Sequence, residues 1–307
     1  MNKRLLDARG SAAIPMTPFT ENDRIDVPVL EKEIEFICKS KAGSICTPMM
    51  VSEVFTLSEE ERRLMIRVPI EVADDRTAIV ANVSACNIHK AIEYTEYAQK
   101  MGADAVVAMG PWAGYCDAQG VRDYFLAIAK ATTLPVMIQN AALPNVQQSP
   151  QQIMALCESQ PNISWVKEEV PPGPVSIQNL MAVKTNALEG IMSGFAGMYS
   201  VWDYAYGANA TMHACQICDV IQKIWDLLHD GQEDEALALQ LKAVPLLQLE
   251  MMHDVTVAKE IMIRRGIFKN RIQRNRARKL TQNDLYAVDM VWGLVAPLIE
   301  RLNAAGE

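Results

Sequence analysis

The sequence predicts an α/β fold, a (β/α)8 TIM barrel followed by a C-terminal helical extension, and three observations predict it. Short β-branched or apolar runs alternate with longer segments of helical period, each pair taking about 25 to 30 residues, the rhythm of βα units in a parallel sheet. Eight such runs occur, enough to close a barrel. Beyond about residue 215 the strand signal stops and the remaining segments all carry a helical period. At 307 residues, half of them hydrophobic, the chain can bury a core of the size this architecture needs.

The expected strands lie at Ala12–Met16, Ser44–Pro48, Thr77–Asn82, Ala105–Met109, Pro135–Gln139, Ile163–Lys167, Gly190–Ser193 and Asn209–Met212. Between them, Ser58 followed by Glu61 is a capping box opening a helix over Glu59–Ala73, and Lys100-Met101-Gly102 ends another on a glycine. The tail reads as helices over Ala214–His229, Glu233–Met251, Val255–Arg265 and Asp284–Asn303, broken at Asp230-Gly231 and Gly266. This gives a catalytic barrel over residues 1–224 and a helical extension over 225–307, with no linker-like composition, low-complexity tract or internal repeat.

A net charge of −8 argues against general nucleic-acid binding and for small-molecule or protein partners. The basic stretch Arg264 to Lys279 lacks interleaved stacking aromatics apart from Phe268 and reads as a salt-bridged surface or subunit contact. Seven scattered cysteines give no disulfide framework and imply a reducing cytoplasm. Met1 to Pro15 has no continuous apolar run, and nowhere do eighteen uncharged apolar residues follow one another, so no membrane segment is expected.

In a barrel of this class, chemistry gathers at the carboxyl ends of the strands. Lys167 closes the apolar run Ile163-Ser164-Trp165-Val166 and so projects into the barrel mouth. There, desolvation can free its amine to form a Schiff base with a ketone. If the strand runs on through Glu169, the period of two turns Lys167 and Glu169 into the pocket and Glu168 away from it. Pro171-Pro172-Gly173-Pro174 leaves the alternative that both glutamates begin a solvated loop. His213 follows the eighth strand and either reaches the pocket, where it would titrate near neutrality, or caps the next helix. Cys215 and Cys218 have no second ligand pair at zinc spacing and read as buried thiols, so neither a metal nor a cofactor is expected. Gly194 and Gly197 read as close backbone packing around a substrate rather than a phosphate loop.

These stretches resemble the dihydrodipicolinate synthase and N-acetylneuraminate lyase family of class I aldolases along nearly the whole chain. The resemblance rests on Ile14-Pro15-Met16-Thr17-Pro18-Phe19 with Ile25-Asp26, on Glu53 to Arg62, on Ala98 to Ala105, and on Pro111 with Gly120. It continues through Leu134-Pro135-Val136 leading to Asn140, Val166-Lys167-Glu168 and Lys259-Glu260. The resemblance implies an eightfold barrel with C-terminal helices, a Schiff base on Lys167 with a 2-keto acid substrate, and assembly as a homotetramer or homodimer.

The departures from the family pattern are equally specific. The Gly-Thr-Thr-Gly-Glu element that holds the keto-acid carboxylate reads Met49-Met50-Val51-Ser52-Glu53 here, leaving Ser52 and backbone N–H groups such as that of Val51 as donors. Gln139, followed by Asn140, stands where the family has its proton-relaying tyrosine, and a glutamine cannot ionise. The second family tyrosine falls on Ala113, with Tyr115 nearby, and the arginine of the synthases falls on Pro144, so dihydrodipicolinate synthase activity is not expected. Glu169, two residues past the lysine, resembles the branch that dehydrates 2-keto-3-deoxy sugar acids, with His213 as the second acid–base candidate. Gln139, Asn140, Ser193 and Gly194 complete the expected substrate contacts beside Val51 and Ser52. Three readings stay open: such a dehydratase, an aldolase on a less polar 2-keto acid favoured by Met49, Met50 and Trp112, and a keto-acid-binding protein without turnover.

Overall fold

The structure, a computed structural model, describes residues 9–143, 146–274 and 279–306. Eight parallel strands close into a barrel in sequence order: β1 (Gly10–Ile14), β2 (Ser44–Thr47), β3 (Ala78–Asn82), β4 (Ala105–Met109), β5 (Val136–Ala141), β6 (Ile163–Glu169), β7 (Gly190–Ser193) and β8 (Ala210–Ala214). The ring shuts where β1 pairs with β8, from Gly10 with Ala210 to Ile14 with Ala214. Every expected strand is present, and the differences lie at the ends. β1 sits two residues earlier than its apolar run suggested, while β5, β6 and β8 each run two residues further. A ladder continues wherever a neighbour offers backbone partners. Asn140 pairs with Glu168 and Ala141 with Glu169, so polar residues that look like loop are held as strand.

Helices cover the outside of the barrel. In chain order they are α1 (Val27–Lys39), α2 (Glu59–Ala73), α3 (Ile88–Met101), α4 (Ala118–Lys130), α5 (Pro150–Ser159), α6 (Gly173–Met181), the short α7 (Ser200–Ala205) and α8 (Cys218–His229). The tail adds α9 (Glu233–His253), α10 (Val255–Arg264) and α11 (Gln282–Gly306). The capping box forms as the spacing predicts: Glu61 N donates to Ser58 Oγ at 3.2 Å and Ser58 N to Glu61 Oε2 at 2.9 Å. Gly102 ends α3 with φ of 97°. The helix expected from Ala214 begins instead at Cys218, because Ala214 still belongs to β8 and Cys215–Ile217 form a 3-10 turn.

Alternation along the strands decides what faces inward. Ala12, Ile14, Cys46, Val107, Met137, Trp165, Met192 and Met212 fill the barrel interior, while Val106, Ile138, Val166 and Ile191 lie in the layer beneath the helices. Trp165 fits only because Gly190 stands beside it, where an added Cβ would lie 2.3 Å from the indole ring. A one-residue slip would turn the interior set outward. Burial of each large apolar side chain contributes about 1.5–3 kcal/mol, so that slip is strongly opposed.

An ionic clamp ties the tail to the barrel mouth. Lys259 of α10, fully buried, donates from Nζ to Glu53 Oε1 at 2.8 Å and to the Ile272 carbonyl at 2.6 Å. Arg274 N donates to the other Glu53 oxygen at 2.9 Å, and its guanidinium reaches Glu61 at 2.6 Å and Asp23 at 2.8 Å. Among the described residues, no helix is long and apolar enough to cross a membrane.

Candidate active site

A cavity of about 550 Å³ opens at the carboxyl end of the strands. Ile14, Met49, Val51, Phe55, Phe195 and Met212 give it apolar walls, Lys167 and Glu169 enter it from β6, and Glu250, Met251 and Asp254 reach it from the end of α9. Phe55 packs against Trp112 with ring centroids 5.1 Å apart.

Lys167 and Glu169 share one face of β6 because the strand runs through both, and Glu168 turns the other way. Lys167 is 5% exposed, and its Nζ lies 2.6 Å from Glu169 Oε2. Gln139 stands in register with Lys167 on the neighbouring β5, and its Nε2 donates to Glu169 Oε1 at 2.6 Å. Each oxygen of this carboxylate is therefore held by a different partner. The space for it comes from Gly194, where a Cβ would come within 2.6 Å of Glu169 Cβ and 2.7 Å of Oε2. Gly194 acts as a notch beside the carboxylate, a role fixed by volume rather than by any polar atom.

The same parity places Asn140 and Ser193 on the outer side of the sheet. Asn140 donates to Glu168 Oε2 at 2.8 Å and to the Gln148 carbonyl at 3.2 Å, and its Oδ1 accepts from Gln148 N at 2.7 Å. Ser193 Oγ donates to Thr211 Oγ1 at 2.8 Å. Ser52 is fully buried, donating to the Pro15 carbonyl at 2.6 Å and accepting from Met49 N at 3.0 Å. The polar atoms of these three residues are thus engaged within the protein, whereas Val51 lines the cavity directly. Tyr115 is 96% exposed, and Pro144 lies outside the described residues.

His213 lies within β8 rather than beyond it and contributes to the cavity wall, yet both ring nitrogens are occupied. Nδ1 donates to the Ala214 carbonyl at 2.8 Å, since a carbonyl only accepts, which leaves Nε2 to accept from Ser11 Oγ at 2.8 Å. Burial holds its pKa down at about 4, so the ring stays neutral near pH 7. Cys215 donates to Glu33 Oε1 at 3.1 Å, and burial pushes the Cys218 thiol up to about 12. Among the described residues, no group of three or more His, Cys, Asp or Glu could hold a metal ion.

Glu250 is the site residue that sequence reasoning did not single out. It is 6% exposed, accepts a hydrogen bond from Gln216 Nε2 through Oε2, and burial pushes its pKa up to about 8. A signal was available. Ala243, Leu246, Leu247 and Glu250 form the buried stripe of α9, and a carboxyl at a position where the helical period calls for an apolar side chain marks a special environment.

The Lys167–Glu169–Gln139 arrangement suits carbonyl chemistry. A primary amine at the cavity wall can add to a ketone, and the carboxylate 2.6 Å from it is within reach to take and return protons during such a reaction. Comparison with known proteins places the chain in a family. Residues 7–288 match the profile described as the Dihydrodipicolinate synthetase family. An L-2-keto-3-deoxyarabonate dehydratase from Azospirillum brasilense is 22% identical over 262 residues, covering 84% of each chain. A 4-hydroxy-tetrahydrodipicolinate synthase from Agrobacterium fabrum is 30% identical over 244 residues, covering 78% of this chain and 81% of that one. Among solved structures, the 4-hydroxy-tetrahydrodipicolinate synthase of the methanotroph Methylacidiphilum fumariolicum superposes with a TM-score of 0.88 at 21% identity, over 96% of this chain and 98% of that one.

Proposed function

The chain belongs to the dihydrodipicolinate synthetase family and is a lyase, and from that premise we propose that it forms a Schiff base between Lys167 and a 2-keto acid and dehydrates a 2-keto-3-deoxy sugar acid. The observation that carries this reading is the placement of Glu169, gripped by Lys167 at 2.6 Å and by Gln139 at 2.6 Å, where the family's tyrosine is missing. The amine adds to C2 of the keto acid and water leaves, giving an iminium. Glu169 takes the proton from C3, which the iminium acidifies, and an enamine results. The same carboxyl then protonates the hydroxyl leaving from C4, so one water is lost overall and the carboxylate is regenerated. Hydrolysis of the remaining iminium frees Lys167. Val51 at the cavity wall is the middle residue of the 3-10 turn Met50–Ser52; the Ser52 amide donates to the Met49 carbonyl at 3.0 Å, and the amides of Met50 and Val51 are the candidate donors for the keto-acid carboxylate.

A further support for dehydration is the dehydratase from Azospirillum brasilense, similar over 84% of its length. A second reading, aldol cleavage of a less polar 2-keto acid, draws support from the walls formed by Met49, Met50, Phe55, Leu143 and Met212. Sodium borohydride added with pyruvate should fix a covalent mass on Lys167, and the Lys167→Ala variant should lack it. An undiminished adduct in that variant would refute the mechanism. Offered a 2-keto-3-deoxy sugar acid, the enzyme should release the dehydrated acid. Release of pyruvate would instead select cleavage.

We also expect a homodimer or homotetramer. Tyr286, Met290 and Leu294, spaced four apart, form an exposed apolar stripe on α11. Sedimentation at micromolar concentration should show a dimer or larger, and a clean monomer would contradict this.

A further inference from the structure

The cavity has two polar poles made by different parts of the chain. One is the Lys167–Glu169 pair on β6, and the other is Glu250 with Asp254 at the end of α9, with the apolar residues Ile14, Met49, Phe195 and Met212 also lining the space. The second pole plays no part in the steps described above. Glu250 nonetheless lines the same cavity while 94% hidden from solvent, and its one described hydrogen bond, from Gln216 Nε2, occupies Oε2 only. The Gln216 Oε1 atom, fully buried beside it, has no hydrogen-bond partner among the described residues. A buried carboxyl–carboxamide pair with unfilled capacity for hydrogen bonds is costly unless something satisfies it.

We propose that Glu250 is a specificity-determining residue that hydrogen-bonds an oxygen on the far part of the substrate, away from the keto group, and so selects hydroxylated 2-keto acids over unsubstituted ones. The inference rests on the Schiff-base reading of Lys167. Its chemistry follows from the pole's composition. A carboxyl kept protonated by burial, with Asp254 as the neighbouring acid reinforcing that state, offers an O–H donor to a neutral oxygen. Among the described residues this pole contributes no cation, so it suits a hydroxyl better than a second carboxylate. The apolar walls then serve the carbon chain and the second pole its distal hydroxyl, which reconciles a methionine-rich cavity with a polyol substrate. Sites that hydrogen-bond a substrate hydroxyl discriminate sharply against analogues lacking it, because the protein's own groups are left unpaired.

The test is borohydride trapping at Lys167, followed by mass spectrometry over a concentration series of pyruvate and of a 2-keto-3-deoxy pentonate, in the parent chain, Glu250→Leu and Glu250→Gln. In Glu250→Leu the ratio of half-saturating concentrations, sugar acid over pyruvate, should rise about tenfold, the scale of one buried hydrogen bond. Glu250→Gln keeps a donor and should hold that ratio within about threefold of the parent, which also covers the case in which the leucine variant fails to fold. An unchanged ratio in Glu250→Leu, or a tenfold rise in Glu250→Gln, overturns the role of Glu250 while leaving Lys167 in place. Absence of any adduct in the parent chain overturns the Schiff-base reading and this inference with it.

Discussion

Two buried lysines of this chain each sit against a glutamate, Lys167 with Glu169 at 2.6 Å and Lys259 with Glu53 at 2.8 Å. Judged by distance alone they are equivalent. Their surroundings differ. Lys259 also donates to the Ile272 carbonyl, lies 5.0 Å from the Phe19 ring centre, and faces a carboxylate whose second oxygen is taken by Arg274 N. Burial lowers its pKa, and the charge of Glu53 opposes that shift. Every direction around it is filled by protein. Lys167 projects instead into an open cavity, where Glu169 is its one ion-pair partner among the described residues. An ion pair closed on all sides braces the fold, while an ion pair left open on one side can react there.

Substitutions that treat the two lysines alike should separate these roles. Lys167→Ala should lower turnover by about a thousandfold or more, the scale seen when a covalent nucleophile is lost, and leave the melting temperature within a few degrees. Lys259→Met should do the reverse, destabilising the fold by about 3–5 kcal/mol in denaturant titration because one partner of the buried Lys259–Glu53 ion pair is removed. Folded Lys259→Met protein should still trap pyruvate. If it does not, the clamp contributes to the chemistry as well as to the fold, and the division proposed between the two pairs fails. Glu169→Gln sharpens the contrast further. The shape is kept, trapping at Lys167 should persist, and turnover should fall about a hundredfold, the usual loss for a general acid–base group.

His213 extends the comparison to a buried base that makes no ion pair with a carboxylate among the described residues. Its pKa drops from 6.5 unfolded to about 4 folded, so the unfolded chain binds more protons between those values. Its contribution to stability is therefore present above pH 6.5 and is lost as the pH falls towards 4. Relative to the parent, His213→Gln should flatten this limb by roughly 1–3 kcal/mol. Denaturant titrations of both proteins at pH 7 and pH 4.5 measure the difference, and parallel curves would show that the ring does not stay neutral.

Much of the barrel was legible because apolar runs report strands directly, and Ala105–Met109 and Gly190–Ser193 match the structure at both ends. The ends of β5 and β6 were not legible, since Asn140, Glu168 and Glu169 are held by pairing with a neighbouring strand, which local composition does not record. Parity separated Lys167 and Glu169 from Glu168 correctly in space. Applied to β5 through the register of Gln139 with Lys167, it also turns Asn140 outward, yet that register is a property of two strands and is absent from either segment alone. Glu250 illustrates a different gap. It reaches the cavity from a helix about eighty residues beyond Lys167, and only its place in the apolar stripe of α9 hinted at burial.

The divided grip on Glu169 has a consequence for the timing of proton movement. Its Oε1 is held by a carboxamide that never titrates, and its Oε2 by the Lys167 ammonium, which the proposed Schiff-base step would consume. In the proposed iminium the nitrogen would keep a single hydrogen in place of three, and Oε2 would lose much of its partner while Oε1 would not. The carboxylate would then be anchored through one oxygen and released at the other. On that reading, imine formation would itself unmask the base for the C3 proton, at the oxygen nearest the new C=N bond.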